Sequence, residues 1–375
     1  MLVWAVLSLP LFPAADSRPA FAAESRTYNP RAYCISGTLG ISASSAVLIC
    51  SDGTVLYSQS DGVRMGCAST TKLMTALVAC DLLDPDTTVT VPKEACGIEG
   101  SSIYLTEGER LTVRELLLGL MLESGNDCAA ALAYAACGSI EAFTDEMNAK
   151  AEAIGLRDTH FVNPHGLPDE NHYTTAYDLA LITAEAIKIP LIRDTISTQR
   201  AYIPYRGIER GRLLINHNRL LGSYDGMIGG KTGFTRADGR CLATAAERNG
   251  LTLIAVTLSA PNDWQDHRIL LDYGFSGFAA VTLAADGEYS FSLPVAGTEK
   301  TVRVSCGELT VCLPSGTVAE TAVSLPRFLY APVCAGDIVG QVVFTAGGNE
   351  YAVPLRAEYG VDAPRRSLID RLFGG

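Results

Sequence analysis

Basic residues are too scarce in this 375-residue chain to favour a partner that is recognised by its negative charge. The chain has 29 Lys and Arg against 41 Asp and Glu, which gives a formal net charge of −12. This balance argues against nucleic acid or an anionic membrane as an electrostatic partner. Hydrophobic residues make up 48% of the chain and charged residues 19%, which is typical of a globular protein with room for two domains.

Metal-ligand patterns are missing as well. The 11 cysteines include no C-x-x-C, and the five histidines show no ligand spacing with them. We therefore expect no metal site, and the reaction considered below requires no cofactor. Cys50 and Cys312 fall in strand-like apolar patterns, where cysteine behaves as a small hydrophobic residue. An odd number of cysteines cannot pair completely, and the sequence leaves open whether a few disulfides form.

The N-terminal apolar run is too short for a comfortable membrane-spanning helix. It extends from Leu2 to Phe12 and is followed by Ala20-Phe21-Ala22, which resembles an A-x-A cleavage site. No Lys or Arg precedes the run, which departs from a typical signal peptide. We nevertheless predict a signal peptide at residues 1–22 and an exported, extracytoplasmic protein.

Turn and capping signals predict several local structures. Asp52-Gly53 and Asn249-Gly250 each separate two strand-like runs, which indicates two β-hairpins. Thr112 and Glu115 have the spacing of a capping box and predict a helix from Val113 to Leu122. From about Phe278 onwards, short β-rich runs separated by turn residues predict a small all-β domain.

Three short motifs follow one another in a fixed order: Ser69-Thr70-Thr71-Lys72, Ser124-Gly125-Asn126 and Lys231-Thr232-Gly233. We expect a helix from Ser69 to about Asp81, which places the first hydroxyl and amine on one face. A serine hydroxyl needs a base before it acts as a nucleophile, and a lysine kept neutral by burial or a nearby cation can be that base. The other two motifs add hydroxyls, a carboxamide and a second cation.

This combination resembles the S-x-x-K, S-D-N and K-T-G signature of penicillin-binding proteins and class A β-lactamases. Further segments, at residues 163–167, 172–176 and 270–275, make the chain similar to the low-molecular-mass penicillin-binding proteins. These are serine-type D-Ala-D-Ala carboxypeptidases, or S11-like peptidases. The resemblance covers about residues 28–360.

The resemblance implies a fold and a domain order. We expect an α/β (α+β) catalytic domain of the serine β-lactamase/transpeptidase type at residues 28–278, with an antiparallel sheet and a helical cluster. The all-β domain then occupies residues 279–360 and a tail residues 361–375. In the tail, Leu368, Ile369, Leu372 and Phe373 would share one helical face. Peripheral membrane contact and simple fraying are both open for it.

The resemblance also implies a reaction and a set of roles. The substrate is a peptidoglycan stem peptide that ends in D-Ala-D-Ala, the intermediate is an acyl-enzyme, and β-lactams inhibit by mimicking the substrate. The resemblance implies that Ser69 is the nucleophile, Lys72 its base and Ser124 a proton relay. Asn126 is expected to contact the substrate amide, and Lys231 and Thr232 to bind the terminal carboxylate. Gly233 would allow the substrate to approach closely, and the N–H of Phe234 would donate to the oxyanion.

Two rival functions stay open. A class A β-lactamase would need a glutamate for deacylation, and its Glu-x-x-Leu-Asn segment is missing. Gly125 also stands where those enzymes have aspartate. A non-catalytic β-lactam sensor would need a transmembrane signalling segment, and none follows residue 23. A Ser–His enzyme is a further alternative because of His165, His172 and His217, but no acid partner is evident.

An additional arginine assists carboxylate binding in some members of this family. Arg219 and Arg268 are the candidates, and the sequence does not choose between them.

Overall fold

The computed structural model describes residues 29–36, 39–205 and 207–363. The predicted signal peptide and the apolar face of the tail lie outside these residues. Within the described part, no helix is both long and apolar enough to cross a membrane. The helices of this part are α1 (Lys72–Leu82), α2 (Val113–Leu122), α3 (Asn126–Cys137), α4 (Ile140–Ala153), α5 (Ala176–Lys188), α6 (Pro190–Ser197) and α7 (Asp263–Gly277).

The strands of the described residues form two six-stranded sheets and three two-stranded ribbons. They are β1 (Ile35–Ser36), β2 (Ser45–Cys50), β3 (Val55–Gln59), β4 (Thr88–Thr90), β5 (Arg110–Thr112), β6 (Arg200–Ile203), β7 (Arg212–Ile215), β8 (Met227–Thr235), β9 (Gly239–Arg248), β10 (Leu251–Leu258), β11 (Phe278–Ala284), β12 (Ser290–Ala296), β13 (Thr301–Cys306), β14 (Leu309–Pro314), β15 (Glu320–Ser324), β16 (Leu329–Tyr330), β17 (Ile338–Ala346) and β18 (Asn349–Ala357).

The first six-stranded sheet has the order β1-β3-β2-β10-β9-β8 and is covered on both faces. Its neighbouring strands are antiparallel, apart from the short parallel pair β1 and β3. Successive side chains of a strand point to opposite faces. Val47 and Ile49 therefore join the core formed with the helical cluster, whereas Ala46 and Leu48 join a second core that includes residues of α7. Strand β8 forms one edge of this sheet.

The predicted turns and cap are confirmed. Asp52-Gly53 connects β2 to β3, and Asn249-Gly250 connects β9 to β10. Thr112 accepts a hydrogen bond from the N–H of Glu115, whose carboxylate accepts one from the N–H of Thr112 in return. Each signal is local, because it satisfies or redirects the backbone within a few residues.

The predicted helix at the first motif begins differently. Ala68–Thr71 forms a 3-10 turn, and the α-helix starts at Lys72 and ends at Leu82. Ala68 has a φ of 47°, in the left-handed region, so regular α-helix cannot extend back through it. In a 3-10 turn the side chains at positions i and i+3 eclipse each other, which brings Ser69 and Lys72 into line.

The C-terminal part of the described chain is all-β. Its sheet has the order β15-β17-β18-β13-β12-β16, and its apolar core includes Val304, Phe344 and Leu355. Five β-rich runs are predicted here, at residues 302–304, 309–313, 321–325, 341–345 and 351–355, and they correspond to β13, β14, β15, β17 and β18. No predicted run corresponds to β11, β12 or β16. The separate core is in keeping with a domain division near residue 278, which stays a prediction.

Cys50 and Cys312 correct one interpretation of the sequence. They are not merely small hydrophobic residues, because they form a disulfide between β2 and β14. Nearby, Asp52 accepts a hydrogen bond from the N–H of Cys312 at 2.9 Å. Phe278 and Ala280 of β11 also contact the core beneath the first sheet. The β11–β14 ribbon therefore connects the two parts of the molecule.

Candidate active site

Ser69 and Lys72 meet where the 3-10 turn enters α1. The Ser69 Oγ and Lys72 Nζ atoms are 2.9 Å apart. Ser69 is partly exposed, whereas Lys72 is completely buried. The structure therefore places a hydroxyl at the surface of the site with an amine directly behind it, as the spacing of the first motif predicts.

The surroundings of Lys72 favour a neutral amine. Its Nζ lies 2.7 Å from Oδ1 of Asn126 and 2.6 Å from the carbonyl oxygen of His165. Burial, and then the charge of Lys231, lower the pKa of Lys72 well below its usual value. A neutral amine has two hydrogens, which these two oxygens can accept, and one lone pair. That lone pair is left for the proton of Ser69.

Ser124 and Lys231 form a second pair of a hydroxyl and an amine. Ser124 lies in the turn between α2 and α3 with a φ of 61°, a conformation that serine rarely adopts. Lys231 Nζ donates to Ser124 Oγ at 3.0 Å and to the carbonyl oxygen of Thr232 at 2.8 Å. Burial lowers the pKa of Lys231 to about 7. The third motif therefore supplies an ammonium whose charge changes near neutrality.

The edge strand β8 brings the third motif to Ser69. A Cβ at Gly233 would lie 3.0 Å from both the carbonyl oxygen of Cys67 and the nitrogen of Ser69, which is tighter than most Cβ contacts. Glycine at this position therefore lets the strand pack closely against the 3-10 turn. Phe234, the next residue, is 64% exposed at the mouth of the site.

A cavity of about 300 Å³ is lined by residues of all three motifs. Arg219 and Arg240 contribute positive charge to its wall, but Arg240 is already paired with Asp263 at 2.9 Å. Arg268 does not line the cavity and donates to Ser223 instead. The other lining residues are Ser69, Ser101, Ser124, His217, Thr232, Gly233, Phe234 and Trp264.

Comparison with known proteins assigns the family. The family model of the S11 peptidases, described as D-alanyl-D-alanine carboxypeptidase, matches residues 34–262. The chain belongs to the peptidase S11 family. The chain is 32% identical to the D-alanyl-D-alanine carboxypeptidase DacF of Bacillus subtilis (strain 168) over 324 residues, which are 83% of each chain. These matches confirm the resemblance that the motifs indicate.

Solved structures confirm the fold of this S11 peptidase. Penicillin binding protein 5 from Haemophilus influenzae matches with a TM-score of 0.74 and 27% identity, over 86% of this chain and 98% of that one. A single-residue mutant of the Streptomyces K15 DD-transpeptidase matches with a TM-score of 0.60 and 34% identity, over 63% of this chain and 98% of that one. Almost the whole of this second protein therefore corresponds to less than two thirds of the S11 chain.

Sequence reasoning missed two backbone groups in the S11 site. The carbonyl oxygen of His165 contacts Lys72, and the carbonyl oxygen of Glu99 accepts from Nδ2 of Asn126 at 2.5 Å. Both amide atoms of Asn126 are therefore engaged within the protein, whereas its predicted partner is the substrate amide. A backbone carbonyl has no signal in the sequence. The resemblance of residues 163–167 to the family does, however, indicate the loop that carries the carbonyl group of His165.

The structure does not support a Ser–His arrangement in the S11 site. The ring Nδ1 of His165 accepts from the N–H of Leu167, and the ring of His172 contacts Thr71 and the N–H of Val162. His217 lies 3.2 Å from the carboxylate of Glu123. Among the described residues, no group of three or more His, Cys, Asp or Glu side chains is arranged to hold a metal ion.

Proposed function

We propose that this S11 peptidase removes the terminal D-alanine from peptidoglycan stem peptides through an acyl-enzyme on Ser69. The observation that carries this proposal is the buried Lys72, whose Nζ lies within hydrogen-bond distance of Ser69 Oγ and of two carbonyl-type oxygens. Such an amine can take the proton of the serine as the hydroxyl attacks a carbonyl.

Acylation then follows from the positions of the side chains. As Ser69 Oγ bonds to the carbonyl carbon of the penultimate D-alanine, its proton moves to Lys72 Nζ. The backbone N–H groups of Ser69 and Phe234 hold the oxyanion. When the C–N bond breaks, Ser124 gives its proton to the leaving amine and regains one from the Lys72 ammonium, so that Lys72 is neutral again; Ser124 is held 3.0 Å from Lys231 Nζ. Water then attacks the ester carbonyl while Lys72 takes its proton, and that proton passes to Ser69 Oγ as the ester C–O bond breaks.

The carboxylate of the leaving D-alanine fits the opposite end of the cavity. Lys231 supplies a buried ammonium, and Thr232 and Arg219 line the adjacent wall. Arg219 is the better of the two arginines proposed from the sequence, because Arg268 lies outside this wall. A charge-assisted pair of this kind selects a free terminal carboxylate over an amide.

The proposal is tested with a peptide that ends in D-Ala-D-Ala and, separately, with a penicillin. Release of D-alanine, together with a long-lived penicilloyl adduct seen by mass spectrometry, supports a carboxypeptidase. Rapid turnover of penicillin without D-alanine release would instead indicate a β-lactamase. A stable adduct without D-alanine release would indicate a sensor, and transfer of the peptide to an added amine would reveal transpeptidase activity.

Lys231→Ala is expected to weaken the use of a free-carboxylate peptide by about 2–3 kcal/mol in transition-state binding, because one charge-assisted hydrogen bond is lost. The value of kcat/KM is measured for this peptide and for its C-terminal amide. In the parent the amide should be much the poorer substrate, whereas in the variant the two should be similar. Arg268→Ala is the control, since its side chain lies outside the cavity. If amidation lowers kcat/KM equally in parent and variant, Lys231 does not bind the terminal carboxylate.

The pH dependence should show the loss of the Lys231 charge. Its pKa is lowered to about 7, so the ammonium is present below this pH and is lost as the pH rises through it. We expect kcat/KM for the free-carboxylate peptide to fall above about pH 7. The C-terminal amide should show no such fall. The same decline with both peptides would assign it to another group.

The location of the enzyme follows from its proposed substrate. Peptidoglycan lies outside the cytoplasmic membrane, so we propose that the predicted signal peptide at residues 1–22 directs export. Membrane contact through the tail, residues 361–375, belongs to the same proposal. The all-β domain would position the catalytic domain at the wall, and the Streptomyces match, which spans only 63% of this chain, is in keeping with a separate catalytic unit.

A further inference from the structure

The turn immediately before Ser69 is strained and tightly enclosed. Ala68 is buried and has a φ of 47°, which costs energy for a residue with a Cβ. A Cβ at Gly166 would lie 1.9 Å from the carbonyl oxygen of Ala68, so the loop packs directly onto this peptide group. A Cβ at Gly233 of β8 would lie 3.1 Å from the Cβ of Ala68, so this strand also packs against the turn. The direction of the Ser69 N–H depends on how this peptide is held.

A chain of hydrogen bonds holds the carbonyl of Ala68. Thr71 Oγ1 donates to it at 2.8 Å and lies 2.8 Å from Nε2 of His172. A hydroxyl has a single proton, and here Ala68 receives it. His172 Nε2 must therefore be a donor to Thr71. The Sγ of Cys67 also lies 3.2 Å from this hydroxyl, and burial raises the pKa of its thiol to about 11.

The other ring nitrogen of His172 fixes the tautomer. Nδ1 accepts from the N–H of Val162 at 3.3 Å, which leaves the single proton of a neutral ring on Nε2. His172 is 4% exposed, and the ring of Phe161 packs against it with 5.5 Å between the two ring centroids. Burial lowers the pKa of His172 to about 4, in agreement with a neutral donor.

We propose that His172 is a positioning residue for acylation, acting through Thr71 on the Ala68 peptide. By donating to Thr71, it directs the threonine proton to Ala68 and so stabilises the strained turn. That turn sets the Ser69 N–H towards the oxyanion and keeps Ser69 Oγ in reach of Lys72. The inference rests on the proposed role of Ser69. In this role His172 neither contacts the substrate nor transfers a proton.

Two substitutions separate the two hydrogen bonds of the ring. In His172→Gln the longer amide can replace the Nε2 donor to Thr71. In His172→Asn the shorter amide can replace only Nδ1, the atom that accepts from the N–H of Val162. We expect Gln to keep the rate constant for acylation by a penicillin within about threefold of the parent, whereas Asn and His172→Leu lower it roughly 10- to 100-fold. The prior non-covalent binding of penicillin should change little.

A Thr71→Val background tests the route. If His172 acts through this hydroxyl, His172→Leu should cause little further loss of acylation rate once the hydroxyl is gone. His267→Leu is the matched control. This histidine is also buried, and its ring contacts the hydroxyls of Thr244 in β9 and Thr257 in β10. It should lower the melting temperature without slowing acylation of the folded protein.

Several results would overturn the inference. One is an acylation rate constant that His172→Leu leaves unchanged. Another is an equal loss of this rate constant in His172→Gln and His172→Asn. A third is a loss on adding His172→Leu to Thr71→Val that is as large as the loss in the parent. A histidine that merely supports folding would change the melting temperature in His172→Leu and leave the acylation rate constant of the folded protein unaltered. If the parent itself forms no adduct at Ser69, the proposed function fails, and this outcome is distinct from the others.

Discussion

Ser69→Ala is expected to abolish both the penicilloyl adduct and D-alanine release, with a loss of at least about 10⁴-fold in rate. In the structure, Lys72 Nζ lies 2.9 Å from Ser69 Oγ, and alanine leaves this amine without a hydroxyl to activate. The neighbouring Ser124 is 3.0 Å from a different lysine, Lys231, and its proposed role is to serve the leaving group. Intact-protein mass and peptide mapping after penicillin treatment measure the effect.

Ser101→Ala is the matched control for this experiment. Ser101 lines the same cavity, but within the described part of the chain no lysine is bonded to its hydroxyl. The control should therefore take up the label at a rate close to that of the parent. Added mass on any peptide other than the one that contains Ser69, or undiminished labelling of Ser69→Ala, would assign the nucleophile elsewhere.

Lys72→Arg should reduce acylation by about 10³-fold or more, although arginine is also a basic residue. An arginine is not deprotonated at any working pH, so it has no lone pair for the proton of Ser69. The site is also completely buried, and the larger guanidinium must fit where Asn126 and His165 already hold an amine. The rate of penicillin acylation is the measurement.

The control for Lys72→Arg is Lys150→Arg. Lys150 forms a surface ion pair with Asp81 at 2.8 Å, where either cation can serve. If Lys72→Arg acylates within a few-fold of the parent, the lysine acts as a fixed charge and the proton of Ser69 goes to another group. A folded but unreactive variant would agree with a neutral base.

The contact between Ser69 and Lys72 was predictable because its signal is local. Ser69 and Lys72 are three residues apart, so their proximity follows from any helical turn, and the low pKa of Lys72 follows from burial beside Lys231. The register of the turn was not predictable. The left-handed φ of Ala68 depends on Gly166 and Gly233, which come from distant parts of the chain.

Long-range pairing accounts for the other differences between sequence and structure. The disulfide joins Cys50 to Cys312 across a sequence separation of 262 residues, and strand-like patterns around each cysteine do not reveal the partner. Strand β11 begins at Phe278, where helix α7 has just ended at Gly277, so no turn signal separates them. The carbonyl group of His165 belongs to the backbone and is invisible in any pattern of side chains.

The order of strands in the first sheet has a consequence for how the enzyme folds. Strand β2 pairs with β10, so that Cys50 lies opposite Leu253 and the start of the domain meets its end. Loop-closure entropy must be overcome before such distant contacts form, which makes folding of this topology slow. A chain still in synthesis cannot complete the sheet until Leu258 is available. Because β8 belongs to that sheet, we expect Ser69 and the third motif to come together late in folding.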